Sequence, residues 1–245
     1  MHDFLEHITI IGTGRLGSAV STILQQNSIP HTMLGRANTY NLTGIVYICV
    51  PENAIATVAN SIVPHPNVLV LHSSGSLGPE TLHKHQHIGC LHPIQSFTLP
   101  LQEIPKIIPA TFQGDDRYLT FVEKFASMCN FQLYKFTGDR LAYHTAAVVA
   151  GNFATILFHS AVELLNKQGF SFEDACAILH PLAVQSITNA RNGALQQVLT
   201  GPISRNQIEI IEKQLQHLHT IYPELEKVYG TCVQVANQLL QTPRP

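Results

Sequence analysis

Short apolar runs alternate with stretches of helical spacing along the first half of the chain. Residues 7–11 form an apolar run that ends in glycines, as a strand leading into a tight turn does. In 16–26, Leu16, Val20, Ile23 and Leu24 fall on one side of a helix. Residues 31–34 predict a second strand, and 45–50 a strongly apolar third closed by Pro51. Asn53 is placed to cap a helix over 53–63. Strands are then expected at 68–71, 88–91 and 107–112, a helix around 117–129 and a strand around 131–135. Strands and helices alternating in such short units predict an α/β fold, a Rossmann-like doubly wound parallel sheet.

Beyond residue 138 the strand pattern stops. Residues 141–168 read as one long helix, bent near Gly151. Ser171 and Asp174 fit a capping box, opening a helix to about Leu179, and Pro181 opens another. Ser204 and Gln207 form a second capping-box candidate, opening a helix to about Leu218, and Pro223 starts a last helix to about Leu240. The expected organisation is a dinucleotide-binding domain over 1–138 followed by an all-helical domain over 139–245. The stretch 141–162 lacks Asp, Glu, Lys and Arg, and about 20 apolar residues suffice to span a bilayer. His144, Asn152 and His159 within it would be costly in lipid, so a central buried helix is expected rather than a membrane span. Such a helix is long for a domain of this size to bury alone. A homodimer through the helical domain is therefore the expected assembly.

Composition narrows the function classes. Only 12% of the 245 residues are charged, which fits a surface partly covered by another subunit. The net charge is −2 and no basic run occurs, which argues against nucleic acid and anionic membranes as partners. Five cysteines without a C-x-x-C pair read as reduced, mostly buried thiols. Residues 1–7 carry Asp3 and Glu6 and no basic segment, so no secretory signal is expected, and the expected location is the cytoplasm. Fourteen histidines invite a metal, but His72, His92 and His144 show no short ligand spacing and no metal site is expected.

The motifs point to a dinucleotide. Gly12, Thr13, Gly14, Arg15, Leu16 and Gly17 form a G-x-G-x-x-G turn between an apolar strand and an amphipathic helix. Gly12 permits the tight turn, Gly14 lets the backbone approach a pyrophosphate at the helix N-terminus, and Gly17 lets helix and strand pack closely. An NAD site usually has an acidic residue about 20 positions past the glycines. Here Arg36 stands near that place, followed by Asn38 and Thr39, which favours the 2′-phosphate of NADP(H). Val50 and Pro51 end the third strand under the expected dinucleotide, with Glu52 next to them. His72, Ser73 and Ser74, and then His92, end the next two strands and are placed to line the nicotinamide or contact substrate. His72 and His92 are each equally readable as structural histidines.

His144 and Asn152 lie on the long helix, eight residues apart, which on a uniform α-helix lets both face one cleft. Histidine suits the donation of a proton to a carbonyl oxygen. Thr200 sits in the turn before Arg205, a residue suited to clamp a substrate carboxylate.

With these marks in order, the chain resembles the bacterial NADP-dependent oxidoreductases that join a Rossmann-like domain to a helical C-terminal domain long labelled as of unknown function. These are distant relatives of pyrroline-5-carboxylate reductase, 6-phosphogluconate dehydrogenase and ketopantoate reductase. The resemblance rests on the glycine turn, Val50-Pro51, H-S-S-G at 72–75, H-P-x-x-S-F at 92–97, Tyr143-His144 with Asn152, and T-G-P-I-x-R at 200–205. It implies an NADPH-dependent reductase of a small keto acid, with 2-dehydropantoate (ketopantoate) the best named candidate in pantothenate and coenzyme A biosynthesis. In the wider superfamily the corresponding helix often supplies a catalytic lysine; residues 141–166 contain none, and His144 occupies a comparable place. Relatives often follow the arginine with Gly-Asp, where this chain has Asn206 and Gln207. Two other readings stand beside this one: a cyclic-imine reductase of the pyrroline-5-carboxylate type, and a non-catalytic NADP-binding regulatory protein.

Overall fold

The structure, a computed structural model, describes residues 4–35, 39–100 and 103–241. The chain divides into two compact units, Met1–Gly151 and Asn152–Pro245. The division falls later than residue 138 for a physical reason: the first part of the long helix is bonded to loops of the sheet, as shown below.

In the first unit, seven strands form one sheet: β1 (Ile8–Ile11), β2 (Thr32–Leu34), β3 (Gly44–Ile48), β4 (Val68–His72), β5 (His87–Pro93), β6 (Ile108–Gly114) and β7 (Phe131–Lys135). Their spatial order is β2-β1-β3-β4-β5-β6-β7. The first five pair in parallel. β6 runs antiparallel to β5, and β7 follows β6 in parallel. The sheet is thus mostly rather than wholly parallel. Parallel neighbours need a crossover, usually a helix, and no helix lies between β5 and β6 among the described residues, so the chain turns back antiparallel. Helices α1 (Arg15–Gln26), α2 (Glu52–Ser61) and α3 (Leu119–Met128) cover the faces. Alternate residues of β3 feed two cores: Ile45 and Tyr47 pack with Val20, Ile23 and Phe125, whereas Val46 and Ile48 pack with Ile55 and Leu82. That alternation is the period-two geometry of a strand buried on both faces. α2 starts one residue before the expected cap: Pro51 precedes its first turn and no side chain caps it, so Asn53 is a helical residue rather than a cap.

The long helix begins as α4 (Arg140–Val148), passes through a π-helical turn over Val149–Phe153 and continues as α5 (Ala154–Asn166). This i→i+5 turn falls where a bend near Gly151 is expected. Asp139 caps α4, its carboxylate accepting from the amides of Leu141 and Ala142. The helix is not the buried one expected. Almost none of its apolar stretch is buried within the chain, although it is long and apolar enough to cross a membrane. Leu141, Phe153 and Ile156 are each more than half exposed.

In the second unit, α6 (Phe172–Asn192) is one continuous helix, not two; Pro181 lies inside it. The lost backbone bond is tolerated by a helix of 21 residues whose remaining bonds hold it on both sides of the proline. The Ser171 hydroxyl accepts from the amide of Asp174 as expected, but the Asp174 carboxylate meets that hydroxyl rather than a backbone amide. A short α7 (Leu195–Val198), α8 (Ile208–Ile221) and α9 (Pro223–Gln241) follow. The second capping box does not form. Asn206 takes a left-handed φ of 51°, so the chain is still turning there and α8 starts beyond it, while Ser204 donates to the carbonyl of Gly201.

Candidate active site

The strand order reverses between β2-β1 and β3, and the cleft at such a switch point is where open α/β sheets hold ligands. A cleft of about 560 Å³ lies there, lined by Gly12, Thr13, Gly14, Cys49, Val50 and Pro51 among others. The three glycines differ in what surrounds them. Gly12 has φ 121°, and a Cβ on it would meet the carbonyl oxygen of Cys49 at 2.3 Å. A Cβ on Gly17 would lie 1.9 Å from the carbonyl oxygen of Gly12, so α1 can pack on β1 only without a side chain there. A Cβ on Gly14 would meet nothing within 4 Å, which leaves the backbone open to an approaching group. Arg15 and Leu16 form the first turn of α1, and Ser18 donates from its amide to the carbonyl of Gly14. Free amides at this helix start, with the helix dipole, suit a pyrophosphate. Gly35 lines the same cleft; Arg36 and Asn38 lie outside the described residues.

At the ends of β4 and β5 the structure separates scaffold from reactive groups. His72 is fully buried; its Nε2 bonds the carbonyl of Gly78 at 3.0 Å, and its Nδ1 accepts from the amide of Ser74. Both ring nitrogens are spent on the loop, so His72 is a structural histidine and the expectation that it contacts cofactor is corrected. Burial holds its pKa below the ordinary value. Ser74 is also buried. Its hydroxyl donates to Glu52 at 2.7 Å and accepts from the amides of Ser76 and Leu77, so it shapes the turn and is not free to bind substrate. The Ser73 hydroxyl donates to the carbonyl of Ile48 at 3.1 Å. Glu52 collects hydroxyls from Ser76 and Ser74, which, with the smaller fields of His144 and His72, lower its pKa.

His92 and His144 are the half-buried members of the cluster. Their rings meet edge to face with centroids 5.9 Å apart. His92 Nδ1 bonds the Tyr143 hydroxyl at 2.8 Å, and Thr111 bonds the same hydroxyl at 3.0 Å. Burial, reinforced by the positive field of Arg140, pushes the pKa of His92 down to about 4. Tyr143 is shifted upward by burial. The Nδ1 of His144 is buried against Gly75 with no partner among the described residues.

Three residues to which the sequence reading assigned no role are central here. Arg140 is buried at 5% exposure; its Nε and one terminal nitrogen donate to the carbonyls of Gly75 and Ser74. Its guanidinium also lies over the ring of Tyr143 at 5.1 Å. Thr111 and Tyr143 complete the cluster. The only sequence signal for Arg140 was its place after the capping Asp139, and Tyr143 was visible only as part of a Tyr-His pair.

Asn152 is exposed and lies in the π-helical turn, so the uniform α-helical count that paired it with His144 does not carry through. It belongs, with Thr200 and Arg205, to the second unit. Arg205 is exposed, bonds Gln207 at 3.3 Å and precedes α8 rather than opening it. Among the described residues no group of three or more His, Cys, Asp or Glu is placed to hold a metal.

No curated protein matches the chain. Among solved structures, protein TM1727 of Thermotoga maritima is similar over 96% of this chain and 98% of its own, with 22% identity and a TM-score of 0.73. Protein BF3122 of Bacteroides fragilis, named as a candidate NADP oxidoreductase, covers the same shares at 19% identity and a TM-score of 0.79. The pyrroline carboxylate reductase of Plasmodium falciparum, solved with NADP bound, does so at 12% identity and a TM-score of 0.59. These likenesses show the fold, a Rossmann-like sheet followed by a helical C-terminal part. A family model matches residues 108–235, more than half of the chain, and the chain therefore belongs to the family described as Domain of unknown function (DUF2520).

Proposed function

We propose that the chain is an NADPH-dependent oxidoreductase that reduces a small carbonyl acid, with 2-dehydropantoate as the substrate to test first and pantoate as its product. One observation carries the reading: an open glycine turn at the switch point of the sheet shares its unit with a half-buried His92–His144 pair at the next strand ends. The names of the structural neighbours support the same cofactor. Bound NADPH would supply the hydride. Gly12 through Gly17 hold its pyrophosphate, and Arg36 reads its 2′-phosphate. His144, as the imidazolium, gives a proton to the carbonyl oxygen and is left neutral.

Glu52 favours a second reading. An ionised carboxylate in the same cluster as the histidines suits a cationic iminium better than a keto acid. Among the structural neighbours are the pyrroline carboxylate reductase and a reductive aminase of Aspergillus terreus solved with NADPH and ethyl levulinate.

The assembly that goes with either reading is a homodimer through the helical unit. Ile178, Leu182, Val184 and Ile187 of α6 are all at least half exposed in the single chain. A second copy of the same helices covers them.

Following NADPH absorbance with a panel of 2-keto acids and cyclic imines tests the function. Oxidation with 2-dehydropantoate supports the first reading, and oxidation with imines alone supports the second. Tight NADPH binding without turnover of any member removes both and leaves a non-catalytic NADP-binding regulator.

A further inference from the structure

His92 has one ring nitrogen committed and one free. On the antiparallel pair β5 and β6, His92 stands directly opposite Thr111, and Tyr143 of α4 bonds both side chains. Three groups and two hydrogen bonds admit three orders of protons while the ring is neutral, and one of them, in which Thr111 and His92 Nδ1–H both donate to Tyr143, leaves the hydroxyl hydrogen of Tyr143 without an acceptor among the described residues.

In the first order Thr111 donates to Tyr143, Tyr143 donates to His92 Nδ1, and the ring proton sits on Nε2. Every hydroxyl hydrogen in the chain then has an acceptor. In the second order His92 Nδ1–H donates to Tyr143, and Tyr143 donates to Thr111. The hydroxyl hydrogen of Thr111 is then left over. Thr111 is 6% exposed, and its hydroxyl bonds only Tyr143 among the described residues. A buried donor without an acceptor costs the desolvation of that group, which favours the first order by roughly tenfold to a hundredfold.

We infer that Tyr143 is a positioning residue that holds His92 as its Nε2–H tautomer, with Thr111 donating to Tyr143 at the far end of the chain, so that His92 presents a neutral hydrogen-bond donor to the oxygen of the bound carbonyl. The Nε2 has no partner among the described residues and is not among the fully buried polar atoms, so it is the end of the chain that a ligand can reach. Burial and the fields of Arg140, His144 and His72, opposed by Glu52, keep the ring uncharged at neutral pH. His92 thus holds the oxygen while His144 supplies the proton. The donor role rests on the reductase reading; the tautomer does not.

Long-range proton–nitrogen correlation spectra of the full-length 15N-labelled protein at neutral pH read the tautomer directly. The His92 signals are identified by their absence in His92→Gln. The expected result is a protonated Nε2 and an unprotonated, hydrogen-bonded Nδ1. A protonated Nδ1 in the unaltered protein overturns the inference, because Nε2 could then only accept. Thr111→Val should leave the tautomer as it is; a switch of tautomer would mean the chain runs the other way. Tyr143→Phe should move the Nδ1 resonance to that of an unbonded nitrogen, and an unmoved resonance removes the positioning role. With a substrate in hand, Tyr143→Phe should lower kcat about tenfold with KM nearly unchanged. If no carbonyl substrate is turned over, the reductase reading fails while the spectra still decide the tautomer.

Discussion

Gly75 and His144 share one space: a Cβ on Gly75 would lie 2.2 Å from Nδ1 of His144. The loop at the end of β4 therefore approaches α4 closely only because residue 75 has no side chain. Gly75→Ala should push the imidazole off its position next to His92. Displacement of a catalytic group by about 1 Å costs on the order of a hundredfold in rate. The expected outcome is a hundredfold lower kcat with NADPH affinity unchanged, since the glycine turn is untouched. Steady-state kinetics beside a fluorescence titration of NADPH check this; an unchanged kcat would take His144 out of the chemistry.

The glycines of the turn give a paired test. At Gly17 an alanine would collide with backbone, so Gly17→Ala should destabilise the fold by about 1–3 kcal/mol and weaken NADPH binding with it. At Gly14 there is open space in the free protein. Gly14→Ala should leave thermal stability within about 0.5 kcal/mol but intrude on a bound pyrophosphate, lowering NADPH affinity at least about tenfold. Thermal unfolding and NADPH titration on both variants separate packing from ligand approach. Equal stability losses in the two would mean that Gly14 serves the fold rather than the ligand.

The tight packing at Gly12 and Gly17 was legible because close approach of a helix start to a strand obeys steric rules that do not depend on the rest of the chain. The alternation of β3 was legible for the same reason: two buried faces demand an unbroken apolar run. Arg140 was not. A charged residue at the start of a helix reads as solvated, and only the three-dimensional approach of the 73–75 loop supplies the carbonyls that bury it. Thr111 escaped because its hydrogen-bond partner Tyr143 lies on α4 and because it stands opposite His92 on an antiparallel pair of strands, where the sequence pattern pointed to parallel ones. His72 and His92 look alike in sequence, each at the end of an apolar strand. What separates them is the turn after His72, which returns a carbonyl from Gly78 to the ring.

Arg140 leads to a stability prediction. Its guanidinium satisfies two loop carbonyls from a buried position. Arg140→Met keeps much of the volume but leaves the Gly75 carbonyl without its donor and the Ser74 carbonyl with only the weak Cys90 thiol donor, and should cost about 2 kcal/mol. Arg140→Lys cannot reach both carbonyls with a planar fork and should recover only part of the loss. Denaturant unfolding measures both; full stability in the methionine variant would show that the carbonyls find other donors.

Histidine burial also sets a pH dependence. His92 titrates near 4 in the folded protein and near 6.5 when unfolded. A depressed pKa means that the unfolded chain binds the proton first as pH falls. The contribution of His92 is therefore complete above about 6.5 and lost progressively down to about pH 4, at most about 3 kcal/mol. His72 shifts in the same direction through burial and adds to the slope. Stability measured by denaturant unfolding should fall from pH 7 to pH 4, and His92→Gln should flatten that fall. A variant with the same slope would show that the ring titrates normally in the folded state.

The helical unit gives the last test. Its own buried side chains among the described residues are few: Val162, Ala175, Ile211 and Leu218. By contrast Ile156 of α5, with Ile178, Leu182 and Ile187 of α6, are each more than half exposed. Covering a large aliphatic side chain stabilises by about 1.5–3 kcal/mol, so these positions together can hold a dimer against the entropy of association. Leu182→Glu places a charge on that face of the helical unit. The expected outcome is a dimer in light scattering for the unaltered protein and a shift to monomer, with about fivefold or greater loss of activity, for the variant. A monodisperse monomer at micromolar concentration for the unaltered chain would instead leave the apolar face to another partner and remove the homodimer.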